Sequence, residues 1–201
     1  MIKVAIDAGH GINTAGKRTP SGEREWSFNN KVVLALINRL NDYQDVQITR
    51  LDDSSGKRDV PLKERTDKAN NFGANILISC HHNANTGRWG TWTGTETYHY
   101  PNSTNGRKLA QAIHPNVVKA YGLRNRGIKS ANFHMLRESR MPAILIEGGF
   151  MDSTIDIKKL RDDNVLKRAG INIADGVAKH LGLKEKPKQT VTSGGSTYTV
   201  K

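Results

Sequence analysis

Four side chains of the types used in metal-assisted hydrolysis stand far apart in this sequence: His10, Glu25, His81 and Glu147. His10 sits between Gly9 and Gly11, and a pair of glycines lets backbone turn sharply and come close to a ligand. His81 opens the run His81-His82-Asn83, and Glu147 precedes Gly148-Gly149. Two histidines and a carboxylate with an open fourth position form the ligand set of a catalytic zinc, and a remaining carboxylate is a candidate general base. The pattern HExxH is absent, which argues against a helix-borne metallopeptidase of that type. A plainer reading stays open on spacing alone: histidines at strand ends satisfy backbone groups, and Glu147 belongs to a structural ion pair.

The elements that must position these residues can be read from periodicity. Ile2, Val4 and Ile6 alternate with Lys3 and Ala5, a β-branched period-two run, so the chain starts on a strand that breaks at Asp7-Ala-Gly-His-Gly11. After a glycine-punctuated loop, Val32, Val33, Leu36, Ile37 and Leu40 have the spacing of an amphipathic helix, with Glu25 in or near its first turn. Val46–Arg50 reads as a strand. Pro61 starts a helix through Leu62, Arg65, Ala69 and Phe72, and Gly73 stops it. The segment 75–80 is apolar enough for a strand buried on both faces, and it leads into the histidine pair. Successive strand residues point to opposite sides, so at most one of His81 and His82 can face a given site.

Thr95–Tyr100 is expected as a strand, and Leu109–Val118 as a helix that Pro115 partly breaks. Phe133–Leu136 is expected as a short strand. Residues 142–147 form a buried strand that ends at Glu147, and a last helix runs from about Asn164 to Leu181. Strands alternating with helices predict an α/β fold, a mostly parallel twisted sheet of about six strands with helices on both faces. In such sheets ligands bind beyond the carboxyl ends of the strands, so His10, His81 and Glu147 can converge there, with Glu25 joining from its helix.

Composition narrows the partners. The chain of 201 residues has a net charge of +12, which favours an anionic partner. Aromatic residues are too few and basic blocks too short for a base-stacking reader, so nucleic acid is not expected. There is no apolar run long enough for a membrane span and no basic-then-apolar leader. The single cysteine, Cys80, excludes an internal disulfide framework and a cysteine-based zinc cluster. Cys80 is expected to pack as a small apolar residue, and the loop tryptophans Trp89 and Trp92 are candidates for substrate contact. From Lys184 the composition turns to Lys, Pro, Gln, Thr, Ser and Gly, with a Ser193-Gly-Gly-Ser196 linker.

From Met1 to about Leu181 the chain resembles the zinc-dependent N-acetylmuramoyl-L-alanine amidases of the amidase-3 type, which cut peptidoglycan. The resemblance is carried by Ile6-Asp-Ala-Gly-His-Gly11, by Leu62-Lys-Glu-Arg65 through Ala69-Asn70, and by Gly73-Ala74-Asn75 with Ile78-Ser-Cys-His81-His-Asn83-Ala84. Gly94-Thr-Glu-Thr97, Arg126-Gly127, Phe133-His-Met-Leu136 and Pro142-Ala-Ile-Leu-Ile-Glu147-Gly-Gly-Phe150 follow in the family's order. The resemblance implies His10, Glu25 and His81 as Zn2+ ligands and Glu147 as the catalytic glutamate. His81 rather than His82 matches because the family's ligand lies two residues before an asparagine, here Asn83. Glu25 rather than Glu23 matches because it lies four residues before Asn29.

It further implies hydrolysis of the amide between N-acetylmuramic acid and L-alanine by a zinc-activated water. The expected partners are peptidoglycan and anionic wall polymers, met outside the membrane by a monomer without a visible signal peptide. Residues 1–182 are expected to form the catalytic domain. Residues 183–201 are expected to be a linker and the start of a wall-binding module, because Thr197-Tyr-Thr-Val-Lys201 is similar to the first strand of a LysM repeat. A zinc peptidase acting on the wall stem and a non-catalytic wall-binding module are the competing readings; product mass and zinc content separate them.

Overall fold

The computed structural model describes residues 1–187 and the backbone of 190–193 and 196–199. Six strands form one sheet in the order β2-β1-β3-β6-β4-β5. They are β1 (Ile2–Ala8), β2 (Val46–Arg50), β3 (Ile76–Asn83), β4 (Thr95–His99), β5 (Asn125–Ser130) and β6 (Ala143–Phe150). All neighbours run parallel except β4 and β6. The helices are α1 (Glu25–Leu40), α2 (Leu62–Phe72), α3 (Thr104–Tyr121), α4 (His134–Arg137), α5 (Ile157–Leu160) and α6 (Asp163–Leu181). None of them is long and apolar enough to cross a membrane.

Alternation along the central strands builds two cores. Val4, Ile6, Ile76, Ile78, Ile144 and Ile146 face a large layer containing α1, α3 and α6. Ala5, Leu77, Ala143 and Leu145 face a smaller one with residues of α2 and α4. Helices therefore cover both faces, as the alternating pattern predicts. Gly170 brings α6 against α1: a Cβ there would overlap the Val32 carbonyl oxygen. Such close helix contact outweighs the usual cost of a glycine inside a helix.

Several boundaries differ from the sequence reading. Phe133–Leu136 is not a strand; Phe133 caps the single turn α4, whose backbone bonds are local, from Arg137 N to Phe133 O (2.9 Å) and Glu138 N to His134 O (2.9 Å). A four-residue apolar run carries no period to tell helix from strand, and Met135 and Leu136 reach the smaller core as helix. Helix α3 continues through Pro115 from Thr104 to Tyr121, because Ile113 and Val117 on either side are core residues. Strand β6 runs on to Phe150, so Glu147 lies within it, opposite His81 of β3 and Glu96 of β4. Strand β5, polar and at the sheet edge, has no apolar pattern to betray it.

The segment read as a linker starts docked. Lys184 O accepts from Gln44 N (2.8 Å), and Lys186 N donates to Asp42 O (2.8 Å). Beyond it, β7 (Thr190–Ser193) and β8 (Ser196–Thr199) pair antiparallel. Gly194 and Gly195 of the linker, and Val200 and Lys201 at the end of the LysM-like stretch, lie outside the described residues.

Candidate metal centre and active site

The loop after β1 delivers His10 in the left-handed region, at φ 68°, a conformation that needs support from its surroundings. Arg65 of α2 supplies it. Its guanidinium donates to Val60 O (2.8 Å), Asp7 Oδ1 (2.7 Å), Ala8 O (2.9 Å), His10 O (3.0 Å) and Asp59 Oδ1 (3.0 Å). All five guanidinium donors are thereby engaged inside the protein. Asp7 also accepts from Ser79 Oγ at 2.7 Å. It holds the strand end through Arg65, and its hydrogen bonds among the described residues go to Arg65 and Ser79 rather than to a site histidine. Gly9 is required on the other side, because a Cβ there would fall inside the His81 ring.

Glu25 enters from the first turn of α1. Its Oε2 lies 3.3 Å from His10 Nε2, and its Oε1 lies 3.0 Å from His81 Nδ1. Ligand atoms of the three residues lie within 4.8 Å of one another. Burial alone would push the Glu25 carboxyl up, but hydrogen bonds and charge from His10 and His81 hold it well below the usual range. Glu23 points elsewhere, to Arg161 at 2.7 Å. Asn29, one turn along α1, fixes the helix by donating to Gly9 O (3.0 Å) and pairing its Oδ1 with His82 Nδ1 (2.7 Å).

His82 faces the opposite side of the sheet from His81, between Asn29 and Tyr121 Oη (2.9 Å). Burial pushes its pKa down to about 4, so it is a neutral core residue. Glu147 projects beside His81 on the adjacent strand. Its Oε2 is closed off from solvent without a hydrogen-bond partner, one of two such side-chain atoms among the described residues. Burial pushes the Glu147 carboxyl up to about 8, against the pull of nearby His81. Glu96 of β4 stands directly opposite Glu147 and is itself buried under Arg126, Lys129 and Tyr98.

The other candidates fall into structural roles. Cys80 packs in the large core. Trp92 Nε1 donates to Asp152 Oδ1 at 2.7 Å, which holds the β3–β4 loop, while Trp89 stays exposed beneath Arg161. Two residues at the site lay within motifs of the resemblance but were given no role: Arg65 read as one more position on the apolar stripe of α2, and Glu96 is brought in by an antiparallel pairing that periodicity does not reveal. A lone cation on an apolar helix face was the available signal for Arg65.

Sheet and rim together define an α/β protein whose two histidines and two carboxylates gather at one end of the central strands, the side-chain set of a metal-assisted hydrolase. The profile of the Amidase_3 family, N-acetylmuramoyl-L-alanine amidase, matches residues 4–179, and the chain belongs to this family. It is 37% identical over 190 residues to the N-acetylmuramoyl-L-alanine amidase CwlM of Bacillus licheniformis, covering 92% of this chain and 71% of that protein. It is 36% identical over 202 residues to the sporulation-specific N-acetylmuramoyl-L-alanine amidase of Bacillus subtilis, covering 100% of this chain and 74% of that one. Among solved structures, the catalytic domain of CwlV, an N-acetylmuramoyl-L-alanine amidase from Bacillus (Paenibacillus) polymyxa var. colistinus, superposes with a TM-score of 0.84 at 32% identity. That match covers 92% of this chain and 100% of the other.

Proposed function

We propose that the chain hydrolyses the amide between N-acetylmuramic acid and L-alanine in peptidoglycan with a single zinc ion held by His10, Glu25 and His81, and with Glu147 as general base. The donor set fits such an ion. Ligands about 2.0–2.1 Å from a tetrahedral centre are separated by roughly 3.3 Å. With one ligand atom taken from each of His10, Glu25 and His81, the three lie within 4.8 Å of one another, close enough to share one ion after a small side-chain adjustment. Zinc bound there supplies Lewis acidity, which makes water a nucleophile near neutral pH and polarises a carbonyl.

The protein's own residues do the rest. The carboxylate of Glu147 takes a proton from the attacking water and returns it to the departing amine of L-alanine. The observation that carries this role is the unpartnered Oε2 of Glu147 beside the histidine rim. A structural carboxylate so enclosed would have found a donor. Arg65 and Asn29 hold the loop of His10 and the helix of Glu25 at fixed distance, so that little reorganises when substrate arrives.

Residues 1–182 form the catalytic unit in this reading, and residues 183–201 lead towards a wall-binding module. The enzyme works as a monomer on the cell wall, outside the membrane, where its positive charge also attracts anionic wall polymers. Purified walls should lose turbidity in the presence of the enzyme, stop doing so with chelator, and resume with added zinc. The released product should be an intact stem peptide bearing a free L-alanine amine. A cut inside the stem would make the enzyme a peptidase instead.

A further inference from the structure

Beside Glu147 lies a second group of charges that the proton transfer does not use. Glu96, 2% exposed, faces Glu147 across β4 and β6. Arg126 Nε donates to its Oε1, Lys129 Nζ reaches the same oxygen at 2.6 Å, and Tyr98 Oη donates to its Oε2. Asn83 Nδ2 completes the shell at 3.4 Å. Two cations against one carboxylate leave the group with one net positive charge at the rim.

Arg126 is restrained in two directions. Its Nε is tied to Glu96, and its Cζ lies 5.1 Å from the centroid of the Phe150 ring. Gly94 makes room for its stem, since a Cβ there would stand 2.6 Å from Arg126 Cγ. Neither terminal nitrogen of Arg126 has an acceptor among the described residues, and the side chain is 31% exposed. Lys129, 39% exposed, leaves further N–H donors free. A guanidinium fixed by its Nε and one face presents its other edge as a fork already shaped for a carboxylate.

We propose that Arg126, with Lys129 beside it, binds a carboxylate of the stem peptide, and that this contact selects stems whose second residue carries a free α-carboxylate. The inference rests on the amidase reading. Glu96 is the positioning residue: it holds both cations and cancels one charge, so that the pair does not overwhelm Glu147. The reach is suitable, because the tie to Glu96 draws the Arg126 guanidinium from β5 across to β4, the strand next to that of Glu147, and neighbouring strands lie about 4.8 Å apart while one peptide residue spans about 3.5 Å. A carboxylate one residue beyond the scissile amide therefore falls within the range of Arg126 when that amide lies at Glu147.

Two disaccharide-linked stem peptides test this, identical except that the second residue, a γ-linked glutamate, carries its α-carboxylate free or as the amide. The unmodified enzyme should cleave the free acid with a kcat/KM about tenfold or more higher, chiefly through KM, because one charge-assisted bond is at stake. Arg126→Gln should lower that value to the level for the amide, and Arg126→Lys should keep part of the preference. Thermal melting of each variant checks the fold, and the comparison within the unmodified enzyme needs no variant. Equal rates on the two peptides would overturn the proposal while leaving the amidase reading intact. Cleavage of neither would overturn it too, and intact walls in the same assay would bring down the amidase reading with it.

Discussion

The two carboxylates nearest His81, Glu25 and Glu147, stand on either side of it and live in opposite surroundings. Glu25 meets a histidine nitrogen at each oxygen and a backbone N–H from His82 at 3.3 Å, and its carboxyl is held low. Glu147 has an oxygen with no partner, and its carboxyl is pushed up to about 8. In the proposed mechanism one stays charged and still while the other exchanges a proton. The same residue type does two tasks here because neighbours, rather than chemistry intrinsic to glutamate, set its properties.

The contrast can be broken at either end. Glu147→Gln should lower wall-lysis activity by about a thousandfold, within the range for a lost acid–base group, while zinc analysis still finds about one ion per chain. Glu25→Gln should lose activity and metal together, seen as loss of zinc on dialysis that the Glu147 variant survives. If both variants kept the metal, the division of labour between them would be wrong.

A smaller effect is expected from the support beneath His10. Arg65→Lys keeps the charge but not the five-donor geometry, so His10 should be held less firmly. Zinc affinity, measured by competition with a chromogenic chelator, should fall roughly 10–100-fold, as when partners behind a metal ligand are removed. Unchanged affinity would show that the loop keeps its left-handed turn without the clamp.

The smallest sharpens the Glu147 side. Burial opposes ionisation of Glu96, but Lys129, Tyr98 and Arg126 lower its pKa from the ordinary 4.5. A carboxyl lowered on folding stabilises the protein fully above the unfolded value, and that gain is lost as pH falls through the folded one. Glu96→Gln should therefore melt about 2–4 °C below the unmodified chain at pH 7, equivalent to about 1 kcal/mol. The gap should close towards pH 3 in melts recorded with chelator present. A gap independent of pH would assign the loss to packing instead.

Much of this arrangement was legible in the sequence, and the rest was not for identifiable reasons. The β-branched alternation of β1, the Pro61 and Gly73 bounds of α2 and the apolar runs of β3 and β6 are local signals, and they placed His10, His81 and Glu147 at one rim. Glu25 needed the additional knowledge that a loop folds α1 back over β3. Arg65, Glu96 and Arg126 owe their positions to pairings between distant segments, such as β4 running antiparallel beside β6, and such register leaves no mark on the local pattern. Strand β5 and the turn α4 are too short or too polar for periodicity to register.

The contact of Gly170 with Val32 has a practical corollary for anyone seeking a hardier enzyme. Replacing helical glycines with alanine is a common route to a higher melting temperature. At position 170 the added methyl would prise α6 from the helix that carries a candidate zinc ligand at its tip. Gly170→Ala should therefore cost roughly 1–3 kcal/mol and loosen the ion as well, readable as a lower melting point together with faster zinc release to chelator.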